Sequence, residues 1–285
     1  MLLLVDLDGV VYRGSEAIPG VAEVLADRVA RGDRVIYVTN NSRWHHTEYE
    51  ERLRSMGAPV APDSVVTSAR ATALAVGEGA ATDGRRPKVV MVLGGPGLAR
   101  EIQEAGMRTV DPTPDGLAAR PDVLVVGVDF DLTYERLTIA ARAVREGARF
   151  VATNRDATYP TAETLAAGAG AIVAAVVVAA GREPDLVFGK PEPRLFEEAA
   201  RSVAVPIAEA VVIGDGLATD IAAATRVGAR SVLMLTGVSS QAQVDATPEA
   251  ERPTAVARDA RALAEALDRL AGACKPAAGA GSGDT

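Results

Sequence analysis

Seven short apolar runs recur along the chain: LLLVDL (2–7), RVIYVTN (34–40), KVVMVLGG (88–95), DVLVVGVD (122–129), RFVATN (149–154), AVVIGD (210–215) and SVLMLTG (231–237). In each, Val, Ile and Leu occupy both alternating sets of positions, so neither face is left polar. That pattern predicts strands of a parallel sheet covered on both sides. Segments of helical period lie between most of them. GVAEVLADRVARG (20–32) puts Val21, Val24, Leu25 and Val29 on one face, with Gly32 as its stop. TYERLTIAARAVREG (133–147) has Thr133 as N-cap and Gly147 as C-cap. AGAIVAAVVVAAG (169–181) reads as a buried helix, shorter than the roughly 20 residues that span a bilayer. This alternation predicts an α/β fold: a Rossmann-like, doubly wound parallel sheet with right-handed crossovers.

Two polar, turn-rich stretches, EGAATDGRRPK (78–88) and GREPD (181–185), divide the pattern. The expected organisation is a discontinuous core, 1–79 and 185–271, with a smaller α/β unit, 80–184, inserted in it. The tail 272–285 is rich in small residues and is expected to be disordered. The 38 acidic against 30 basic residues give a net charge of −8, a poor match to nonspecific nucleic-acid binding. The single cysteine, Cys274, excludes an internal disulfide and fits a reducing compartment. Nothing at the amino terminus resembles a leader, so a soluble, cytoplasmic protein off the membrane is expected. His45 and His46 are the only histidines and are expected on an exposed helix, RWHHTEYEERLRSMG (43–57). A zinc site from this inventory would need carboxylates as further ligands.

The residues that end the apolar runs carry the chemistry. Asp6, Thr39 and Asp215 stand at what should be carboxyl ends of strands, where open α/β sheets bind ligands. DLDGV adds Asp8, VTNNS adds Asn40 and Asn41, FGKPEP adds Lys190, and VIGDGLATDI adds Asp220. Four acids, one amine and one hydroxyl suit a site for Mg²⁺ and a phosphate group. Carboxylate oxygens of Asp6 and Asp215, with the Asp8 backbone carbonyl, are hard ligands of the kind Mg²⁺ takes. The Thr39 hydroxyl, the Lys190 ammonium and loop amides are donors for phosphate oxygens. Thr39 also reads as a helix N-cap, a role compatible with phosphate binding, and Lys190 taken alone reads as a surface lysine. LGGPG (93–97) lacks the phosphate-loop lysine and reads as a strand-to-helix turn, and Trp44 as a packing residue.

In order and content, DLDGV, TNNS, GKP and GDGLATD resemble the four motifs of the haloacid dehalogenase superfamily of phosphohydrolases, in its NagD-like, para-nitrophenylphosphatase branch. The resemblance runs from about residue 2 to 265. It implies a cap domain between the second and third motifs, where 80–184 lies. It also implies that Asp6 is a nucleophile forming an aspartyl-phosphate, that Asp8 is the general acid and base, and that Mg²⁺ and Lys190 neutralise the phosphoryl group. Asp220 is then implied to orient Lys190 or metal-bound water and not to ligate the metal directly. The family usually carries Asn or Arg after GD, where this chain has Gly216, and a polar residue at Ala218. In ATNRDATYP (152–160) the resemblance points to Asn154, Arg155 and Asp156 as cap residues that select a small phosphorylated metabolite. With Tyr159 as the only aromatic of that loop, a short alcohol phosphate such as glycerol 3-phosphate is favoured. A homodimer through the cap is a further family expectation. A receiver-like signalling module and a sugar-phosphate mutase remain alternatives. The former, however, sets its acceptor Asp on a later strand and has no inserted domain.

Overall fold

The computed structural model describes residues 1–160 and 164–272. All seven apolar runs form strands, divided between two parallel sheets. The larger sheet has six strands in the order Ala255–Ala257, Arg230–Met234, Ala210–Gly214, Leu2–Val5, Arg34–Thr39, Val65–Thr67. Numbered along the chain within this sheet the order is 6-5-4-1-2-3, so it reverses between Leu2–Val5 and Ala210–Gly214. The carboxyl ends of those neighbours open onto the switch-point crevice of a doubly wound sheet. Successive residues enter opposite layers, as the two-sided apolar pattern requires. Leu2 and Leu4 pack with Ile36 and Val38 on one face, and Leu3 and Val5 with Val35 and Tyr37 on the other.

The smaller sheet orders Leu186–Val187, Arg149–Ala152, Val123–Val126, Val89–Leu93 and Arg108–Val110. Leu186–Val187 pairs with Arg149–Ala152, so these two residues lie in the smaller sheet and not in the larger unit expected to resume at 185. One apolar cluster runs through both sheets. It joins Leu4, Val38 and Val66 of the larger to Val90, Val92, Val123 and Val151 of the smaller. Ala69, Ala73 and Val76 of the helix Ser68–Gly77, and Leu98 and Ile102 of the helix Pro96–Glu104, fill the space between. The inserted unit therefore shares a core with the rest of the chain.

Two helices depart from the expected faces. In Val21–Ala30, Val29 is 42% exposed while Arg28 is buried. The Arg28 guanidinium pairs with Asp33 at 2.5 Å and with Asp268 of the last helix at 3.0 Å. Such partners are what make a buried cation tolerable, and hydrophobic periodicity does not register them. In Ala169–Ala180, Ile172, Val173 and Val176 are buried but Val178 is 83% exposed, so that helix is covered on one side only. Thr133 caps its helix as expected, accepting the Arg136 N–H. Gly272 closes the helix Ala260–Gly272 and is not part of a tail, and 273–285 lie outside the described residues. No helix among the described residues is long and apolar enough to cross a membrane.

Leu98 is fully buried in the cluster common to both sheets. Leu98→Ala is expected to cost about 2–5 kcal/mol, read from the urea midpoint. A loss under about 1 kcal/mol would mean that the shared layer collapses around the cavity.

Candidate active site

The two sheets deliver four loops to one place, three from the larger and one from the smaller. Asp6 follows Leu2–Val5, Thr39 ends Arg34–Thr39, Asp215 follows Ala210–Gly214, and Lys190 lies three residues beyond Leu186–Val187. All four line a cavity of about 360 Å³, together with Asp8, Asn40, Asn41 and Asp220. Its opposite wall comes from the smaller layer, through Val128, Asn154, Asp156 and Tyr159. The loops approach closely at Gly9, whose φ is +77° and where a Cβ would sit 2.2 Å from Asp215 Oδ2. Only glycine allows both the backbone conformation and the contact.

Lys190 is the centre of the site. Its buried Nζ donates to Asp6 Oδ1 and, at 2.7 Å, to Asp220 Oδ1. Asp220 is itself held by the Gly216 N–H at 3.2 Å and the Thr219 hydroxyl at 3.1 Å. A Cβ at Gly216 would meet Thr219 Oγ1 at 2.0 Å, so the departure from the family pattern here fits local packing. Burial alone would lower the Lys190 pKa, but the charges of Asp220 and Asp6 outweigh it and raise it.

The carboxylates feel the opposite balance. Burial drives Asp6 well above the ordinary carboxylate range, with Lys190 pulling down and Asp220 and Asp215 pushing further up. Asp215 is pushed up to about 6 by burial and by Asp220, against the Val238 N–H that donates to its Oδ2 at 2.9 Å. Asp8 is raised by burial, with Arg52 and Lys190 opposing. Oxygens of Asp6, Asp215 and Asp220 lie within 4.8 Å of one another. Lys190 is the one basic side chain among the described residues that line the cavity. Clustered hard oxygens with excess negative charge fit a divalent cation, which would relieve the repulsion.

The remaining expected residues separate by what their side chains touch. The Thr39 hydroxyl accepts the Asn41 N–H at 3.1 Å, leaving its own proton available to an anion. Asn40, expected to bind phosphate, has its amide engaged by the protein. Its Nδ2 donates to the Lys190 carbonyl at 2.9 Å and to both Asp156 oxygens at 3.1 Å, and its Oδ1 accepts the Lys190 N–H at 2.7 Å. Asn154 is likewise committed, donating to the Asn40 carbonyl at 2.8 Å and accepting the Asp156 N–H. Both asparagines tie the two layers together, with their side-chain amides engaged by the protein. Asn41 donates to the Tyr159 hydroxyl at 3.1 Å. Arg155 is absent from the cavity wall. Its exposed guanidinium turns outward to pair with Glu183 at 2.7 Å.

Two expectations change around the mouth. Tyr159 is not a lone aromatic, because Phe130 meets it edge-on with ring centres 5.5 Å apart. Arg43 covers Phe130 at 4.2 Å and Trp44 at 4.4 Å, so Trp44 packs against a cation. No local pattern links Phe130 to Tyr159, since they meet only through the fold. His45 and His46 are buried, not exposed on a helix face. His45 is the N-cap of the helix His46–Ser55, where pattern reading favours Ser, Thr, Asp or Asn.

Comparison with known proteins agrees with this geometry. Residues 3–108 match the family model of haloacid dehalogenase-like hydrolases, and residues 187–263 match a second, HAD-hydrolase-like model. A 5′-nucleotidase of Bacillus subtilis is 34% identical over 251 residues, 88% of this chain and 92% of its own. The structure of a p-nitrophenyl phosphatase from Archaeoglobus fulgidus superposes with a TM-score of 0.84 at 32% identity, covering 93% of this chain and 98% of that one. A glycerol phosphate phosphatase from Mycobacterium tuberculosis, solved with magnesium, gives 0.81 at 35% identity over 92% and 75% of the two chains. With the acid pair, Thr39, Lys190 and Asp215 gathered at the switch point of such a sheet, the chain belongs to the haloacid dehalogenase superfamily of hydrolases, in its NagD-like, para-nitrophenylphosphatase branch.

Proposed function

We propose that the chain is a Mg²⁺-dependent phosphatase that hydrolyses a short polyol phosphate, with glycerol 3-phosphate as the first candidate, through a phosphorylated Asp6. The observation that carries the reading is the buried Lys190 ammonium held between Asp6 and Asp220, in one cavity wall with Thr39 and Asp215. Asp6 and Asp215, with the Asp8 backbone carbonyl, would hold the cation, which when bound supplies Lewis-acid neutralisation of phosphoryl charge.

An Asp6 carboxylate oxygen attacks phosphorus as the bond to the alcohol oxygen breaks. Asp8 gives that oxygen its proton. Water then attacks the aspartyl-phosphate while Asp8 takes a proton from it, releasing inorganic phosphate and restoring Asp6. Lys190 and Thr39 hold the phosphoryl oxygens, and Asp220 keeps the ammonium aimed. The steps need Asp6 ionised and Asp8 protonated; burial favours the protonated form of both, and the Lys190 contact, joined by a bound cation, is what would oppose it at Asp6. Water takes the phosphoryl group in this reading, which separates it from a mutase.

In this reading residues 80–187 form the cap, and Asp156 accepts a hydroxyl of the substrate. Support for a small substrate is the cavity volume, near the lower end of ligand sites. The name of the Mycobacterium tuberculosis neighbour points the same way. The nucleotidase relative favours a nucleoside monophosphate, for which the Phe130–Tyr159 pair would be a platform, but Phe130 is half exposed and is not among the residues that line the cavity. The compartment is taken as cytoplasmic, consistent with one cysteine, and the assembly as a homodimer through the cap.

Asp6→Asn is expected to lower kcat by on the order of 10⁴-fold or more while the melting temperature stays close to wild type, because the side chains are near-isosteric. Retention of near-native turnover would remove Asp6 as nucleophile. The folded-state pKa of Asp215, about 6, lies above its unfolded value of about 3.9. The stability it contributes is full below the unfolded pKa and is lost as pH rises through about 6. A bound cation returns that stability and competes with the proton. The rise in melting temperature from Mg²⁺ over EDTA should therefore be small at about pH 5 and complete above about pH 7. A pH-independent rise would contradict ligation by Asp215. In a panel of phosphate esters, glycerol 3-phosphate is expected to give the highest kcat/KM, and a nucleoside 5′-monophosphate at the top would overturn the substrate assignment.

A further inference from the structure

Outside the cavity, the two histidines of the chain meet two glutamates of the inserted unit. His45 and His46 open the helix His46–Ser55, and Glu101 and Glu104 lie on the helix Pro96–Glu104. One donor atom from each of the four lies within 4.8 Å of all the others, and His45, His46 and Glu101 are buried. His45 Nε2 is 3.0 Å from Glu104 Oε2 and 3.8 Å from Glu101 Oε1, and His46 Nδ1 is 2.9 Å from Glu101 Oε1. The edges of a Zn²⁺ tetrahedron with nitrogen and oxygen ligands measure about 3.3 Å. We propose that His45, His46, Glu101 and Glu104 form a second metal site, for Zn²⁺ or a similar transition-metal ion, that clamps the core to the inserted unit.

The surroundings suit such an ion better than Mg²⁺, since imidazole nitrogens select the later divalent metals. His45 Nδ1 accepts the Thr47 N–H at 3.4 Å as the helix N-cap and lies 2.8 Å from Thr47 Oγ1, so ligation through Nε2 requires the ring proton to move to Nδ1, where the Thr47 hydroxyl can accept it. Glu104 is fixed by Arg100, which donates to Oε1 at 2.9 Å and leaves Oε2 for the site. Glu101 is fixed by the His46 N–H, which donates to Oε1 at 2.8 Å. The two helices are also held at close range. Gly97, one turn before Glu101, lies against the backbone of 43–45, and a Cβ there would be 2.5 Å from the Arg43 carbonyl oxygen. The four ligands thus stand on a seam whose geometry is set by packing before any ion arrives. Binding would join the segment that follows Thr39–Ser42 to the first helix of the inserted unit.

Trp44, the only tryptophan, adjoins His45 and reports on the site. The test is titration of the full chain with Co²⁺ and Zn²⁺ in excess Mg²⁺, following Trp44 fluorescence and the Co²⁺ ligand-field absorption. Expected are one equivalent bound with Trp44 quenching and the strong visible band of four-coordinate cobalt. His45→Asn keeps an N-cap residue, and Glu104→Gln alters a half-exposed side chain. Each should weaken binding by at least ~100-fold, while Asp215→Asn should leave it unchanged. The proposal is overturned if no equivalent binds in excess Mg²⁺, or if binding survives both His45→Asn and Glu104→Gln and disappears with Asp215→Asn.

Discussion

Three buried carboxylates gathered around a single ammonium are the constraint on which the rest of the structure turns. Each acid loses hydration and repels its neighbours, and Lys190 offsets only part of that cost. The loops bearing them would separate unless something else fixed them. The structure supplies that fixing with uncharged groups. The Asn40 amide holds the Lys190 backbone from both sides, the Val238 N–H holds Asp215, and Gly9 lets two loops come within contact distance. The strand order adds the larger-scale part, because Leu2–Val5 and Ala210–Gly214 are neighbours at the reversal point and release their acids side by side. The strain left over is what a divalent cation is bound to relieve.

Much of this was legible because it is local. An apolar run followed at once by Asp or Thr marks a strand and its carboxyl end together, and Asp6, Thr39 and Asp215 all carry that mark. The short strands were not legible. Val65–Thr67, Arg108–Val110, Leu186–Val187 and Ala255–Ala257 are two or three residues long and exist by pairing with longer neighbours. Misreadings also came from partners distant in sequence. Arg28 is buried because Asp268 waits for it, and His45 because Glu104 does. Asn40 and Asn154 lie in the cavity wall as expected, yet their amides face each other's loops, a distinction that residue type does not encode. Phe130 escaped notice for the same reason.

Composition marks the boundary between the two units as a pair of polar, turn-rich connectors. Those connectors exist, but they do not describe the junction. Between the sheets, the helices Ser68–Gly77 and Pro96–Glu104 bury Ala69, Val76, Leu98 and Ile102 in one layer with residues of both. An insertion tethered only at its ends is free to swing, whereas one that shares a hydrophobic layer must slide or deform that layer to move.

That layer has a consequence for the engineering of specificity. The residues of the smaller unit that line the cavity are an attractive module to exchange among related enzymes, since they arrive as one contiguous stretch of chain. Here such an exchange would strip apolar area from the underlying helices as well as change the recognition loop. A working chimaera would have to carry over the inner surface of Ser68–Gly77 along with the transplanted lobe, which brings its own helix Pro96–Glu104. Tyr159 lines the cavity outside that layer, so a point change there would leave the layer closed.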